Sequence, residues 1–311
     1  PFLFYIHFSC LFEYYDYFVD KYCKCKKNDD RLRIFNRKKV IEHLHQFKFL
    51  IPRKRLFSNI QYMNTAFIIQ ARMGSTRLPK KVLRPFYGDK CILQLLVEKL
   101  ALVEGVKSII ATSVGKENDA IEEFCVQNNI TCFRGEENDV IKRFIDAAEA
   151  NGIERIIRIC SDNPFLELNS IKALVAKENN SDADYISFKI NGSPSIKTHF
   201  GFWTEYTTLA ALKKVQQLTD EKLYHEHVTN YIYANPDKFK VDWIEGPTSL
   251  NGRNNIRLTI DTPKDFENAQ RVYADLCANN PYPTIDEIVT YLDTHSDMYN
   301  TMSQQINQNS K

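Results

Sequence analysis

The residues best suited to chemistry cluster first in one loop. Positions 70–83 read Gln70-Ala71-Arg72-Met73-Gly74-Ser75-Thr76-Arg77-Leu78-Pro79-Lys80-Lys81-Val82-Leu83, directly after a short apolar run. Four cations, one glycine and two hydroxyls fall within positions 72–81. Such a loop suits an anion. Gly74 lets backbone amides turn toward it. Arg72, Arg77 and Lys81 can neutralise a polyphosphate, an arginine gripping two oxygens at once. The spacing is neither a Walker A loop nor a G-x-G-x-x-G dinucleotide turn. An exposed basic loop without a ligand accounts for the composition equally well. Two isolated aspartates follow other apolar runs, Asp162 in C-S-D-N-P and Asp261 in T-I-D-T-P. By residue type alone each reads as a turn or capping residue more readily than as a metal ligand. Thr262 already supplies a helix cap, which leaves the Asp261 carboxylate unassigned. His225 and His227 lie i, i+2, about 200° apart on a helix, so they do not share a metal.

Positioning these residues needs alternating strands and helices. A continuous apolar run at 66–69 reads as a strand buried on both faces. Ile92, Leu95, Leu96, Leu100 and Val103 mark an amphipathic helix. Further strands are expected at 108–113, 130–133, 156–160, 185–189, 238–245 and 256–260. Further helices are expected at 117–128, from Val140 with Asp139 as N-cap, and near 169–177, 205–217 and 221–234. A last one carries Phe266, Ala269, Tyr273, Leu276 and Cys277, with Thr262 as N-cap, Pro263 at N1 and Asp265 at N3. Repeated strand–helix units imply an α/β, mostly parallel, Rossmann-like three-layer sheet. In such sheets ligands bind beyond the carboxyl ends of the strands, where the basic loop and Asp162 stand. The stretch 303–311 is polar and reads as a frayed tail.

Charge divides the chain unevenly. Residues 1–62 hold 13 Lys+Arg, 6 Asp+Glu and 15 aromatics, with no Gly, Ala or Thr, while the other 249 residues carry a net charge of −5. Met63 is the first methionine. The first stretch reads as compositionally foreign upstream sequence translated in frame, outside the native fold. The rival is a basic arm for nucleic acid or an anionic membrane surface. The expected organisation is therefore an extension at 1–62, a catalytic domain at 63–285, and a C-terminal helix with tail at 286–311. No run reaches the roughly 18 apolar residues that cross a bilayer. The eight cysteines make no zinc framework: Cys23 and Cys25 lack a second pair, and Cys91, Cys125, Cys132, Cys160 and Cys277 sit in apolar contexts as reduced core residues of a cytoplasmic protein. The negative balance after Met63 does not suit a general nucleic-acid binder.

The loop AFIIQARMGSTRLPKKVL resembles the signature of the cytidylyltransferases that activate acidic sugars, most closely the SpsF-like spore-coat polysaccharide branch. The acylneuraminate and 3-deoxy-manno-octulosonate cytidylyltransferases are more distant. The similarity continues in order through IIATS, FRGEENDVIKRF, RICSDNPFL, GFWTE, HEHVTNYI and LTIDTPKDFE, from about residue 65 to 275. Residues 1–62 have no counterpart in it.

The resemblance implies a nucleotide-diphosphosugar-transferase-like fold and a nucleotidyltransferase for surface polysaccharide. CMP would pass from CTP to an acidic or modified sugar, with release of pyrophosphate. Such catalysis is mainly positioning and charge neutralisation. It implies Mg²⁺ held by Asp162 and Asp261, a set this ion accepts because waters and phosphate oxygens complete its octahedron. Ala71, Arg72, Gly74, Ser75, Arg77 and Lys81 would contact the triphosphate, with Arg72, Lys81 and Asp162 as the catalytic residues. Thr112 and Arg158 would read ribose or cytosine. Glu205 and His227 would lie near the sugar or a homodimer interface. The alternatives are another nucleotidyltransferase or glycosyltransferase of this fold, or a non-catalytic nucleotide-binding protein. Three departures from the resemblance stand out: Lys80 and Ser161 where relatives usually carry Gly, and Trp203 where they carry an acid.

Overall fold

Strand β1 (Thr65–Gln70) lies in the middle of the sheet, where the computed structural model, which describes residues 64–308, buries four consecutive apolar residues. Phe67 and Ile69 face one hydrophobic cluster, Ala66 and Ile68 the other. A strand covered on both faces needs no polar alternation, and its sequence has none.

Parallel neighbours flank β1. On one side stand β4 (Lys107–Ser113) and then β5 (Thr131–Gly135); on the other stands β6 (Arg155–Cys160). Ile69 pairs with Ile110 and with Ile159. The chain thus winds outward from β1 to β5, then crosses back to β6, and that reversal opens a crevice at the strand ends. Beyond β6 come β9 (Glu205–Thr208), β7 (Tyr185–Ile190) and β10 (Val241–Glu245). β9 is antiparallel to both β6 and β7, whereas β10 runs parallel to β7. The short β8 (Ser193–Pro194) folds back on β7, and β2 (Pro85–Tyr87) with β3 (Lys90–Cys91) forms a separate hairpin.

Helices complete three layers. The larger cluster gathers α1 (Ile92–Leu100), α2 (Asp119–Gln127), α4 (Leu168–Glu178), α8 (Pro263–Cys277), α9 (Ile285–Asp293) and α10 (Ser296–Gln308). The smaller gathers α3 (Val140–Ala150), α5 (Leu209–Leu218), α6 (Lys222–Glu226) and α7 (Asn230–Ala234). Asp139 caps α3, accepting from Lys142 N, and Thr262 and Asp265 make a full capping box on α8.

Four expectations need correction. The segment from Glu205 begins as strand β9, and the helix starts only after Thr208. The helix expected over 221–234 breaks at His227, giving α6 and α7. The run 256–260 forms no strand and joins no ladder; Leu258 N and Thr259 N donate to His199 O instead. The polar stretch expected to fray is helical from 303 to 308, where α10 ends at Gln308 with Met298 and Met302 buried, and 309–311 lie outside the described residues. The extension expected at 1–62, with Cys23 and Cys25, lies outside the described residues.

Candidate active site

The basic loop leaves β1 and is pinned at both ends. Ala71 N donates to Ala111 O (3.3 Å), and Met73 N to the side chain of Asn118 (2.9 Å). Asn118 is fully buried and donates in turn to Ser113 Oγ. Ser75 N and Lys80 N both donate to Met73 O, and Ser75 Oγ accepts from Leu78 N. The amide of Ala71 is therefore engaged within the protein. Gly74 has no positive φ, and nothing lies within 4 Å of where a Cβ would stand. Its value is open space in front of the backbone. The positive φ falls instead at Lys80 (62°), so a glycine there would be relaxed and the lysine is strained. Ser161, the other replaced glycine, has no positive φ and is buried without that penalty.

The two aspartates are brought together by backbone. Ile260 N donates to Asp162 O (2.9 Å), which ties the turn after β6 to the segment before α8. Gly201 makes this approach possible: its φ is 70°, and a Cβ would stand 3.2 Å from the backbone at Leu258 and Thr259. Lys81 completes the junction. Its Nζ donates to Ile260 O (2.5 Å) and lies 3.7 Å from Asp162 Oδ2 and 4.0 Å from Asp261 Oδ1. Arg77 reaches the same Asp261 oxygen at 3.1 Å.

Asp261 is aimed from behind. The Arg257 side chain, 0% exposed, gives Nη2 to Asp261 Oδ2 (3.0 Å) and holds Asp265 through Nε and Nη2 (2.8 and 2.9 Å). Arg257 Nη1 contacts His199 Nδ1. The neighbouring Thr262 hydroxyl donates to Gln305 of α10. Sequence reasoning missed Arg257; its only signal is the i, i+4 spacing to Asp261. It also missed Lys99 of α1, 4% exposed, whose ammonium donates to Pro164 O (3.0 Å) and Leu166 O (2.7 Å) just past Asp162. Burial, only partly offset by Cys277 and Glu167, lowers the Lys99 pKa to about 8.

Asp162 Oδ1 is buried and has no hydrogen-bond partner. A buried carboxylate oxygen left unpaired is costly unless a cation satisfies it. That orphan, beside a second carboxylate at one ammonium, fits a hard divalent ion with few protein ligands. Among the described residues no cluster of three His, Cys, Asp or Glu side chains could hold a metal. Thr112 Oγ1, fully buried at the end of β4, is a second orphan.

Other sequence-predicted residues stand apart from this junction. Arg158 donates to Glu205 (2.6 Å) and to Gln70 Oε1 (3.3 Å). Glu205 is 2% exposed and accepts also from the Tyr185 and Thr229 hydroxyls. Burial first, then the Glu205 carboxylate, pushes the Tyr185 phenol well above its ordinary pKa, so it stays a donor. The geometry makes Arg158–Glu205 an internal ion pair joining β6 to β9. Arg72 is exposed, and its charge, after burial, helps lower the pKa of the buried Arg143. His227 is exposed and closes α6, while His225 is engaged by Asp139 and Thr219 O. Trp203 is a core residue, stacked on Phe188 at 5.6 Å with Nε1 donating to Ser170 Oγ. Two hollows, one against α10 and one between α8 and α9, are lined by none of these residues.

A mostly parallel Rossmann-like sheet with cations and carboxylates gathered at its strand ends is the frame of a nucleotidyltransferase. The family model for cytidylyltransferases matches residues 66–291, and the chain belongs to that family. It is 39% identical to an uncharacterized protein of Methanocaldococcus jannaschii, over 76% of this chain and 93% of the relative. It is 34% identical to the spore coat polysaccharide biosynthesis protein SpsF of Bacillus subtilis, over 74% of this chain and 95% of the relative. A cytidylyltransferase structure from Leptospira borgpetersenii superposes with a TM-score of 0.66 at 26% identity, covering 76% of this chain and 97% of that one. Among the described residues no helix is long and apolar enough to cross a membrane.

Proposed function

We propose that this cytidylyltransferase transfers CMP from CTP to a hydroxyl of an acidic or modified sugar, releasing pyrophosphate, with Mg²⁺ at Asp162 and Asp261. The observation that carries this reading is the meeting of Asp162, Asp261 and Lys81 around one point at the ends of β1 and β6. The names of similar proteins support the substrate class: SpsF is a spore coat polysaccharide biosynthesis protein, and a Hydrogenovibrio crunogenus relative is a 3-deoxy-manno-octulosonate cytidylyltransferase.

The residues divide the work. Arg72, Ser75 and Arg77 border the open face of the loop and receive the triphosphate, with Gly74 leaving room for it. Lys81 offsets negative charge that grows on the α-phosphate as the sugar oxygen approaches. Asp162 presents its unpaired oxygen to the cation, and Arg257 keeps Asp261 turned toward the same point. Bound there, Mg²⁺ would neutralise phosphate charge and lower the pKa of the attacking hydroxyl. The N-terminus of α8, directly after Asp261, adds its own positive end to the site. A role for Thr112 at ribose or base is supported only by its unpartnered hydroxyl near the end of β4, and that hydroxyl is fully buried. Arg158 and Glu205 are spent on each other inside the protein, where they brace β6 against β9.

Pyrophosphate release with each of the four nucleoside triphosphates and a panel of sugar acids tests the reading. CTP should be preferred, release should need a sugar, and Asp162→Ala should lower the rate on the order of 10²-fold or more. Undiminished release by Asp162→Ala, or equal use of all four nucleotides, would refute it.

A further inference from the structure

Lys81 stands where the cation of the proposed reaction must go. Its ammonium is within 4.0 Å of both carboxylates, its side chain is 11% exposed, and Ile260 O holds it in place. The two oxygens of Asp261 are divided between different partners. Oδ2 belongs to the buried Arg257, whereas Oδ1 faces Arg77 and Lys81 from the loop side. Arg257 is locked by Asp265 and His199. Arg77, with 46% of its side chain exposed, is at the surface. The inner cation is structural; the outer pair can exchange.

A divalent ion held by Asp162 and Asp261 would sit within a few ångströms of the Lys81 ammonium. At that separation like charges repel, the more so the less water screens them, and the Lys81 side chain is only 11% exposed. The lysine has a flexible four-carbon stem and can swing aside. Leaving two carboxylates is favourable only when another anion receives the charge. A triphosphate lying along the open face of the loop is such an anion.

We infer that Lys81 makes cation binding conditional on the nucleotide: the ammonium blocks the carboxylate pair until a triphosphate draws it away. The cation then enters with the nucleotide or after it, and not before. By linkage, whatever factor the nucleotide adds to cation affinity the cation adds to nucleotide affinity. The inference rests on the reading that Asp162 and Asp261 take the cation, and it adds an order of events to that reading.

Mn²⁺ is a suitable probe, counted on the full chain by equilibrium dialysis and by loss of the free-ion spin-resonance signal. Without nucleotide, Lys81→Met and Lys81→Gln should each bind Mn²⁺ at least tenfold more tightly than the wild type. Lys81→Gln keeps a donor for Ile260 O, so it guards against a folding defect in the methionine variant. Lys81→Arg, which keeps the charge, should stay as weak as the wild type. Adding Asp162→Asn to Lys81→Gln should abolish the gain. No gain in either neutral variant, while the wild type retains Mn²⁺ with CTP in a manner that Asp162→Asn abolishes, would overturn the inference and leave the proposed function standing. If the wild type retains no Mn²⁺ even with CTP, the metal site itself is wrong and the inference falls with it.

Discussion

Lys99 should give the protein an unusual alkaline stability profile. Its ammonium is buried at 4% exposure against Pro164 O and Leu166 O. Its pKa falls from an ordinary 10.5 to about 8, first because burial disfavours the charge. The sign follows from proton counting. Between those two values the unfolded chain holds a proton that the folded chain has released, so stability rises with pH. Below about 8 both states are charged and the fold carries the full desolvation cost; above about 10.5 both are neutral and the cost is gone. Integrated over that window, the gain is about 3 kcal/mol, an order-of-magnitude figure. The neutral amine still has two N–H donors, one for each carbonyl, so the turn after Asp162 keeps its anchor. Cys277 works in the opposite direction within this window: burial raises its thiol from 9.0 to about 11, so stability is lost as the unfolded thiol ionises. The assay is urea unfolding of wild type and Lys99→Met from pH 7.5 to 10.5. Taking the difference between the two removes the titrating groups that do not interact with Lys99 and leaves its coupling to Cys277. That difference should move in the wild type's favour by about 2–3 kcal/mol. A difference flat across the range would show that Lys99 is not a desolvated ammonium, and the account of how the Asp162 turn is held would fail.

Two further outcomes are expected. Lys80→Gly should stabilise the protein by about 1 kcal/mol, because the φ of 62° is left-handed and penalises a side chain; a lower urea midpoint would refute this. Arg257→Met should cost about 3–5 kcal/mol in the same unfolding assay, because it leaves buried Asp265 without the cation it pairs with and Asp261 with only Arg77 and Lys81 of the loop; a loss under 1 kcal/mol would mean the pair is held by other groups.

The sequence is most legible where local chemistry and burial agree. The apolar run of β1 and the capping residues Asp139, Thr262 and Asp265 stand where their residue types require. Legibility fails where tertiary pairing decides. Glu205–Thr208 runs straight into a helical pattern, and only its place between β6 and β7 makes it a strand. The run 256–260 alternates apolar and polar residues as a strand does, with Ile256, Leu258 and Ile260 buried, yet its amides at 258 and 259 go to His199 O and not to a strand. The hairpin of β2 and β3 is too short to leave a period. At the site, Asp162 and Asp261 were visible as strand-end acids, and the motif resemblance joined them. Lys99 and Arg257 were not visible, because a charged residue in sequence reads first as a solvated one. Their burial follows from carbonyls and carboxylates that only the fold brings to them.

The central position of β1 bears on how the chain folds. Thr65 pairs with Arg155, so the middle strand is closed on its second side only after a long stretch of chain has come back. Contacts so distant along the chain make for slow folding. Until β6 arrives, one edge of a wholly apolar strand presents bare N–H and C=O groups that another molecule can pair with. A fragment of this protein cut short of residue 155 should therefore be an aggregating species.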